Sequence, residues 1–457
     1  MSQIHTDLKG KTMGQNDATP KLSRRSLVKQ SAAAVTALSA LGVSTAQAAP
    51  NKASSLLSST KMQDRETILH WSHPLSDDDN VIFDPIIQRF QDAGNNIDVK
   101  VELIPWDGRI ERKMSAAAAG TSPDTSYLNV DEFTTYAVEG ALVPLDEYVT
   151  PESLEDFLPG PRDAMTWDGQ IFEIPVLHAF RVAFYNTSVW EASGLDVAVT
   201  PETWEDLDTD LAAILTAKDT GSHDAWPTAM EGSGSGPTPV LRNFNPWFYQ
   251  AGGQLINDDG SSGYDSQAGI DAVIYATNQF QSFCSPADRA SKGEDLNERF
   301  GQGQIAYLNN QEQRVINIMA QDFPELQFSV ANTTEKVKKW THGGVGNFGM
   351  WSPSQKRDAT WAWIDFLTST GNLEYTQGFG YVPPRASVRA EYVKDMDPLH
   401  TLALEQQEYA GVEKHPRLWD MWDIISPELQ AAFAGLKTPE EAVKTAADRI
   451  NKDVLDI

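Results

Sequence analysis

Cysteine is nearly absent, with Cys284 alone among 457 residues. A single thiol makes no intrachain disulfide. It also excludes a four-cysteine iron–sulfur centre and a Cys-x-x-Cys-His haem attachment. Positive charge is scarce, with 36 Lys and Arg against 64 Asp and Glu and a formal net charge of −28. Such a surface repels nucleic acid and anionic lipid, so no nucleic-acid partner is expected. Long apolar runs are missing too. The run over residues 31–43 is too short and too rich in Ala, Ser and Thr to span a bilayer. The Gly232 to Gly236 stretch has no Gly-Lys-Ser/Thr ending, which excludes a nucleotide P-loop. Metal ligands in order are lacking as well. His70 and His73 have no further partners in sequence, and Asp77-Asp78-Asp79 lacks the alternation and closing Glu of a calcium loop. No metal and no cofactor is implied.

The N-terminus carries an address. Ser23-Arg24-Arg25-Ser26-Leu27-Val28-Lys29 precedes the mild apolar run, and Ala46-Gln47-Ala48 supplies a small-residue cleavage site. This is the pattern of a twin-arginine (Tat) signal peptide over residues 1–48, cut after Ala48, and it implies export to the periplasm. The removed segment holds six Lys/Arg and two Asp, so the mature 409 residues carry a net charge near −32. That length exceeds one hydrophobic core and suits two lobes. Residues 49–64 are polar and Ser-rich and are expected to be a flexible tether.

Thr67 to Trp71 then has the pattern of a strand, Val81 to Phe90 of a helix, and Val99 to Leu103 of a second strand. This βαβ start predicts a parallel sheet and an α/β fold. Trp106 to Ala119 is a helix ending at Gly120, and Tyr127 to Val130 a further strand. Asp168-Gly169 is a turn pair, followed by an apolar run closed by Pro175 and a β-rich run from Val182 to Tyr185. A helix over Ser188 to Ala192 stops at Gly194, and Thr200 with Pro201 is expected to cap the next. Thr438-Pro-Glu-Glu441 is a capping box for a last helix.

In this order the segments resemble bacterial ABC-transporter solute-binding proteins of the sugar-binding, maltose-binding-protein-like family. Gly120-Thr-Ser-Pro-Asp124, Tyr136-Ala-Val-Glu-Gly140-Ala-Leu-Val-Pro-Leu145, Tyr185-Asn186, Pro201-Glu-Thr-Trp204 and Thr438-Pro439 match that family's motifs in sequence. The resemblance covers nearly the whole mature chain. It implies a two-lobe periplasmic-binding-protein fold (type II), with a hinge of crossover strands and a ligand cleft between the lobes. The first lobe would comprise residues 65–180 and 340–382, the second residues 181–339 and 383–457. It further implies a monomeric receptor that binds a sugar or polyol, catalyses nothing, and docks on the transmembrane subunits of an ABC permease.

Position relative to the family's motifs selects the candidate ligand contacts. Trp71, Ser72 and His73 follow the first strand. Asp131 and Glu132 align with an acidic, hydroxyl-binding position, with a helix N-cap pair as the plainer reading. His178 takes the place of a family carboxylate and lies with Arg181 in the crossover. Asn245 and Trp247 fall in a cleft-facing segment. Asn309 and Gln313 follow the Ala-Tyr-Leu strand, Gln313 where relatives carry a stacking Trp. Gly344 and Asn347 would offer close backbone approach. Trp422 matches a stacking Trp, and Arg385 has a hinge salt bridge as its plainer reading.

Two other functions fit parts of this pattern. An exported glycoside hydrolase would need two carboxyls about 5–9 Å apart across one bond, and no partner for Asp131 or Glu132 stands out. A receptor for an anionic sugar derivative would employ His178, Arg181 and Arg385. A polyamine receptor would need several cleft carboxylates, which those three residues oppose.

Overall fold

A computed structural model describes residues 65–457 apart from Asp77, residues 232–237 and Lys292. The signal peptide, the tether and the Gly232 to Gly236 loop therefore lie outside the described residues. The strands are β1 (Glu66–Ser72), β2 (Ile97–Leu103), β3 (Thr125–Asn129), β4 (Thr166–Trp167), β5 (Gln170–Ile171), β6 (Glu173–Asn186), β7 (Trp226–Thr228), β8 (Ile305–Glu312), β9 (Phe328–Ala331), β10 (Thr341–Met350) and β11 (Ala410–Gly411). One sheet runs in the order β2-β1-β3-β10-β6-β8-β7, with β9 added to β6 and β11 to β10. β1 is parallel to β2 and β3, as the βαβ pattern requires, whereas β10 is antiparallel to both β3 and β6.

The apolar runs on either side of His178 form one 14-residue strand, β6. From Glu173 to Phe180 it pairs with β10; from Arg181 onward it pairs with β8 and β9. Pro175 is tolerated at its place because the β6–β10 register shifts beside it, between Gly346 and Asn347. This strand carries the chain from one core to another. Before the crossing, Ile68, Phe83, Tyr127, Ile174, Phe348 and Trp363 are buried together. After it, Trp190, Trp204, Trp247, Tyr307, Trp422 and Ile450 form a second cluster. Phe180, Val182, Phe184, Leu308 and Val382 pack around the crossing itself. The result is the two-lobe α/β architecture that the motif order implies.

Local chemistry sets most element ends. Asp168 and Gly169 both take positive φ, 46° and 77°, in the two-residue turn joining β4 and β5. Gly194 sits at φ 79° past its helix, and Thr438 makes its capping box with Glu441. The expected cap at Thr200 is corrected by one turn. The helix is Trp204–Asp219, Thr203 accepts from Asp206 N, and the Asp206 carboxylate accepts from Thr203 N. A Thr followed three residues later by Asp satisfies two orphan donors, which outweighs a lone Thr-Pro pair.

Within β10, side-chain packing demands glycine most strictly at Gly346, because a Cβ there would overlap the Tyr127 hydroxyl and ring. Gly344 has no such need, since its Cβ would sit 3.5 Å from that of Ala179, an ordinary contact. Gly346→Ala is therefore expected to lower stability by about 1–3 kcal/mol through overpacking, while Gly344→Ala leaves the denaturant midpoint nearly unchanged.

Candidate functional site

The first-lobe side of the site is built on the end of β3 and the helix Arg109–Ala118. Glu132 is wholly buried and accepts from Asn129 N (2.8 Å), Lys113 Nζ (3.0 Å) and the Tyr136 hydroxyl (3.1 Å), with Arg109 Nε at 3.4 Å. Burial pushes its pKa up, but Lys113 and Arg109 outweigh that and hold it at about 2. Protein donors occupy its oxygens, an arrangement that makes Glu132 an internal anchor and favours its plainer reading as a structural group at a helix start. Lys113 is also buried and spends a second hydrogen bond on Tyr127 O at 2.9 Å.

His73 is stacked on Trp106, with ring centroids 4.2 Å apart. Its Nδ1–H donates to the Ile104 carbonyl at 2.9 Å, which fixes the tautomer and leaves Nε2 as a buried acceptor without a protein partner. Burial and the Lys113 charge depress its pKa to about 3, so the ring is neutral. Ser72 is buried at the strand end. Trp71 is occupied: its indole N–H donates to Glu102 at 3.2 Å, and the Arg112 guanidinium lies 5.2 Å from its ring centroid.

The lobes meet beside this cluster. Arg109 lies between two indoles, 5.3 Å from Trp106 and 4.8 Å from Trp419 of the helix Leu418–Phe433. The Thr135 hydroxyl donates to Pro416 O at 2.8 Å, and Lys414 reaches Asp163 at 3.0 Å. Between these contacts Glu413 is buried, accepting from Asn245 Nδ2 (2.6 Å) and the Tyr249 hydroxyl (2.8 Å). Burial first, and then the negative charge of Asp131, raise its pKa to about 7 against the opposing hydrogen bond from Tyr249. Asn245 keeps a buried Oδ1 with no protein partner. Trp422 lies 5.4 Å from Trp419, buried in the second core.

At the crossing, charges are tied to one another. Arg181 donates to Asn310 O (2.9 Å) and Glu312 (3.2 Å), and Glu312 also takes Arg314 Nε (2.8 Å) and the Tyr381 hydroxyl (3.1 Å). His178 is buried, its Nδ1 accepting from the Gln407 amide, and burial depresses its pKa to about 3. It is a neutral strut and adds no positive charge. Arg385 donates to Thr368 O (2.7 Å) and to Ser153 O and Oγ (both 3.1 Å), and its guanidinium lies 4.0 Å from the centre of the Phe157 ring. With Asp156 at 3.7 Å as well, these contacts tie Arg385 into the hinge and favour its plainer reading as a salt bridge. Gln313 clasps Phe180, accepting from its N–H at 3.2 Å, and keeps Nε2 unpartnered. Asn347 donates to Val345 O at 3.1 Å, and its Oδ1 is unpartnered on the same sheet face as the buried carboxyl of Glu173. Burial, reinforced by the Glu132 charge, raises the Glu173 pKa well above the carboxylate range, so it is a neutral acid.

Two small cavities meet at Asn309. One is lined by Thr228, Met230, Asn243, Trp247, Gln279 and Tyr307, the other by Gln250, Asn310, Thr333, Thr334, Trp340 and Thr341. Trp247 also packs on Trp204 and Tyr275, with centroids 5.8 and 4.9 Å away. Asn243, Asn310, Thr333, Thr334, Trp340, Glu413 and Glu173 were not among the residues selected by motif. Only the Asn309-Asn310 pair carried a sequence signal, since Asn tolerates left-handed backbone.

What this arrangement offers is hydroxyl recognition: amides with one donor and one acceptor each, a bare imidazole acceptor, and indoles on both sides of a closable seam. The family model of bacterial extracellular solute-binding proteins matches residues 76–374. The chain belongs to this family. As a solute-binding protein it is 24% identical over 378 residues to a binding protein of Brucella abortus (strain 2308), covering 80% of this chain and 88% of that one. It is 24% identical over 428 residues to the sn-glycerol-3-phosphate-binding periplasmic protein UgpB of Salmonella typhimurium, covering 84% and 92%. Its fold matches the ABC substrate-binding protein Lmo0181 of Listeria monocytogenes, solved with cycloalternan, at a TM-score of 0.73. That match has 22% identity and covers 85% of this chain and 99% of that one.

Proposed function

We propose that this solute-binding protein is the periplasmic receptor of an ABC importer for a neutral sugar or polyol, trapped between its lobes and handed to the permease. The reading includes export by the twin-arginine route, cleavage after Ala48, a monomeric receptor and no catalysis. The observation that carries it is the set of buried hydrogen-bonding atoms without partners among the described residues, on the second-lobe and crossing residues: both polar atoms of Asn310, Asn243 Nδ2, Asn245 Oδ1 and Gln313 Nε2. Buried polar groups are normally paired, and a polyol is the class of ligand that pairs amides of both polarities at once. His73 Nε2 and Asn347 Oδ1 extend the set into the first lobe.

Charge favours a neutral ligand over an anion. Arg109 and Lys113 are bound to Glu132, Arg181 and Arg314 to Glu312, and Arg385 to Ser153 and Thr368. The charge of Asp131, which after burial raises the pKa of both Glu413 and Glu173, lies on the same side of the balance. Two carboxyls are thereby present near the seam, yet Glu413 is hydrogen-bonded by Asn245 and Tyr249, an arrangement that suits recognition better than proton transfer.

Thermal melting of residues 49–457 with maltose, D-mannitol, D-galacturonate, sn-glycerol 3-phosphate and spermidine tests the reading. A neutral ligand at a hundred times its Kd is expected to add about 2.7 kcal/mol of stability. A shift with only the two anions would reverse the charge argument. Consumption of sugar without any shift would replace the receptor by an enzyme.

A further inference from the structure

We infer that Asn310 is a specificity-determining ligand contact, held in a strained conformation by Arg181; this deepens the sugar or polyol reading and rests on it. Between Val182 and Phe184 of β6 the partner strand β8 runs from Gln311 to Leu308, so β8 carries one extra residue there. That is a β-bulge, a device that re-aims side chains and concentrates at functional sites. Within it Asn310 takes φ 55°, one of three non-glycine residues at positive φ among those described. A left-handed residue inside a strand costs free energy, even for Asn.

The strain is not offset by side-chain hydrogen bonds within the protein. Asn310 is 3% exposed, and neither Oδ1 nor Nδ2 has a partner among the described residues. An Asn chosen only for its backbone tolerance would have solvent or a local backbone group for its amide. Asn310 instead lines a cavity together with Gln250, Thr333, Thr334 and Trp340. One donor and one acceptor on a single rigid amide match two neighbouring hydroxyls of a polyol, one accepting and one donating.

The backbone of Asn310 is held from the crossing strand, where Arg181 Nη1 donates to its carbonyl at 2.9 Å. Arg181 shares Glu312 with Arg314, whose Nη1 lies 3.5 Å from Leu75 O in the first lobe. Arg181 is thus a positioning residue that acts through Asn310. Its partners connect the bulge to the hinge, so the geometry of the contact is tied to the arrangement of the lobes.

Asn310→Gly separates this role from a structural one, because glycine accepts positive φ without strain. The variant is expected to melt at or above the wild-type temperature without ligand. Its affinity for whichever of maltose and D-mannitol shifts the wild type is expected to fall by about 10- to 100-fold, the range for leaving ligand hydroxyls unpaired in a buried site. Arg181→Lys is expected to weaken the same ligand in the Asn310 background and to have no further effect in Asn310→Gly. Unchanged affinity of Asn310→Gly, or a clear fall in its melting temperature, would overturn the inference while leaving the receptor reading intact. A wild type that binds neither neutral probe overturns the neutral-ligand reading and this inference with it.

Discussion

Replacing Glu132 by alanine is expected to lower stability by about 3–5 kcal/mol, the range for leaving a buried charge unpaired. Lys113 is wholly buried and has only Tyr127 O besides this carboxylate, at 2.9 and 3.0 Å, and Arg109 leans on the same group. Removing Glu132 leaves the Lys113 ammonium without the carboxylate that accepts its hydrogen bond in the first lobe. The double variant Glu132→Gln/Lys113→Met should recover most of the loss, because a buried ion pair is often worth no more than apolar groups of its volume. The pH dependence carries a fixed sign. The folded pKa, about 2, lies below the ordinary 4.5, so Glu132 contributes fully above about pH 4.5 and its contribution is lost as pH falls toward 2. Urea titrations of wild type, Glu132→Ala and the double variant measure all of this. A cost below about 1 kcal/mol for Glu132→Ala would mean that Lys113 is hydrated and the cluster is no anchor.

The sequence made the architecture legible because the family's motifs sit at element ends, where local chemistry is strict. Asp168-Gly169, Gly194 and Thr438-Pro-Glu-Glu441 each act through backbone angles or caps that few residues provide. Interior continuity was less visible. β6 was split in two because Pro175 and His178 interrupt its apolar run, and only pairing with β10, β8 and β9 joins the halves. For the site, residue type was a weak guide. Arg385 and Glu132 have the chemistry of ligand contacts and are consumed inside the protein, since a cation or carboxylate near a hinge finds partners first among its neighbours. Asn310 and Glu413 went unselected for the opposite reason. The bulge that strains Asn310 arises from register between two strands over a hundred residues apart, and Glu413 is enclosed by Asn245 and Tyr249, which are equally distant.

Glu413→Gln is expected to stabilise the protein at pH 8 and to leave it nearly unchanged at pH 4. Glu413 is buried, and its pKa of about 7 exceeds the ordinary 4.5, so the folded state holds a proton that the unfolded chain releases. Its contribution is complete below about pH 4.5 and declines as pH rises to 7, by on the order of 3 kcal/mol over that interval. This is the reverse of Glu132, so the two acids confine greatest stability to the interval between their transitions. Glutamine mimics the protonated carboxyl and keeps an acceptor for Asn245 or Tyr249, so its difference from wild type isolates this one group from the general repulsion of a chain with net charge −28. Melting curves of both proteins from pH 4 to 8 should converge at the acid end and separate progressively between about pH 4.5 and 7; parallel curves would show that Glu413 does not titrate there. The consequence reaches binding, because Asp131 contributes to the shift from the other lobe. Separating the lobes removes that charge and admits water, so closure around a ligand draws a proton onto Glu413 near pH 7. Ligand affinity in wild type should therefore be greater at pH 6 than at pH 8, and Glu413→Gln should flatten that dependence.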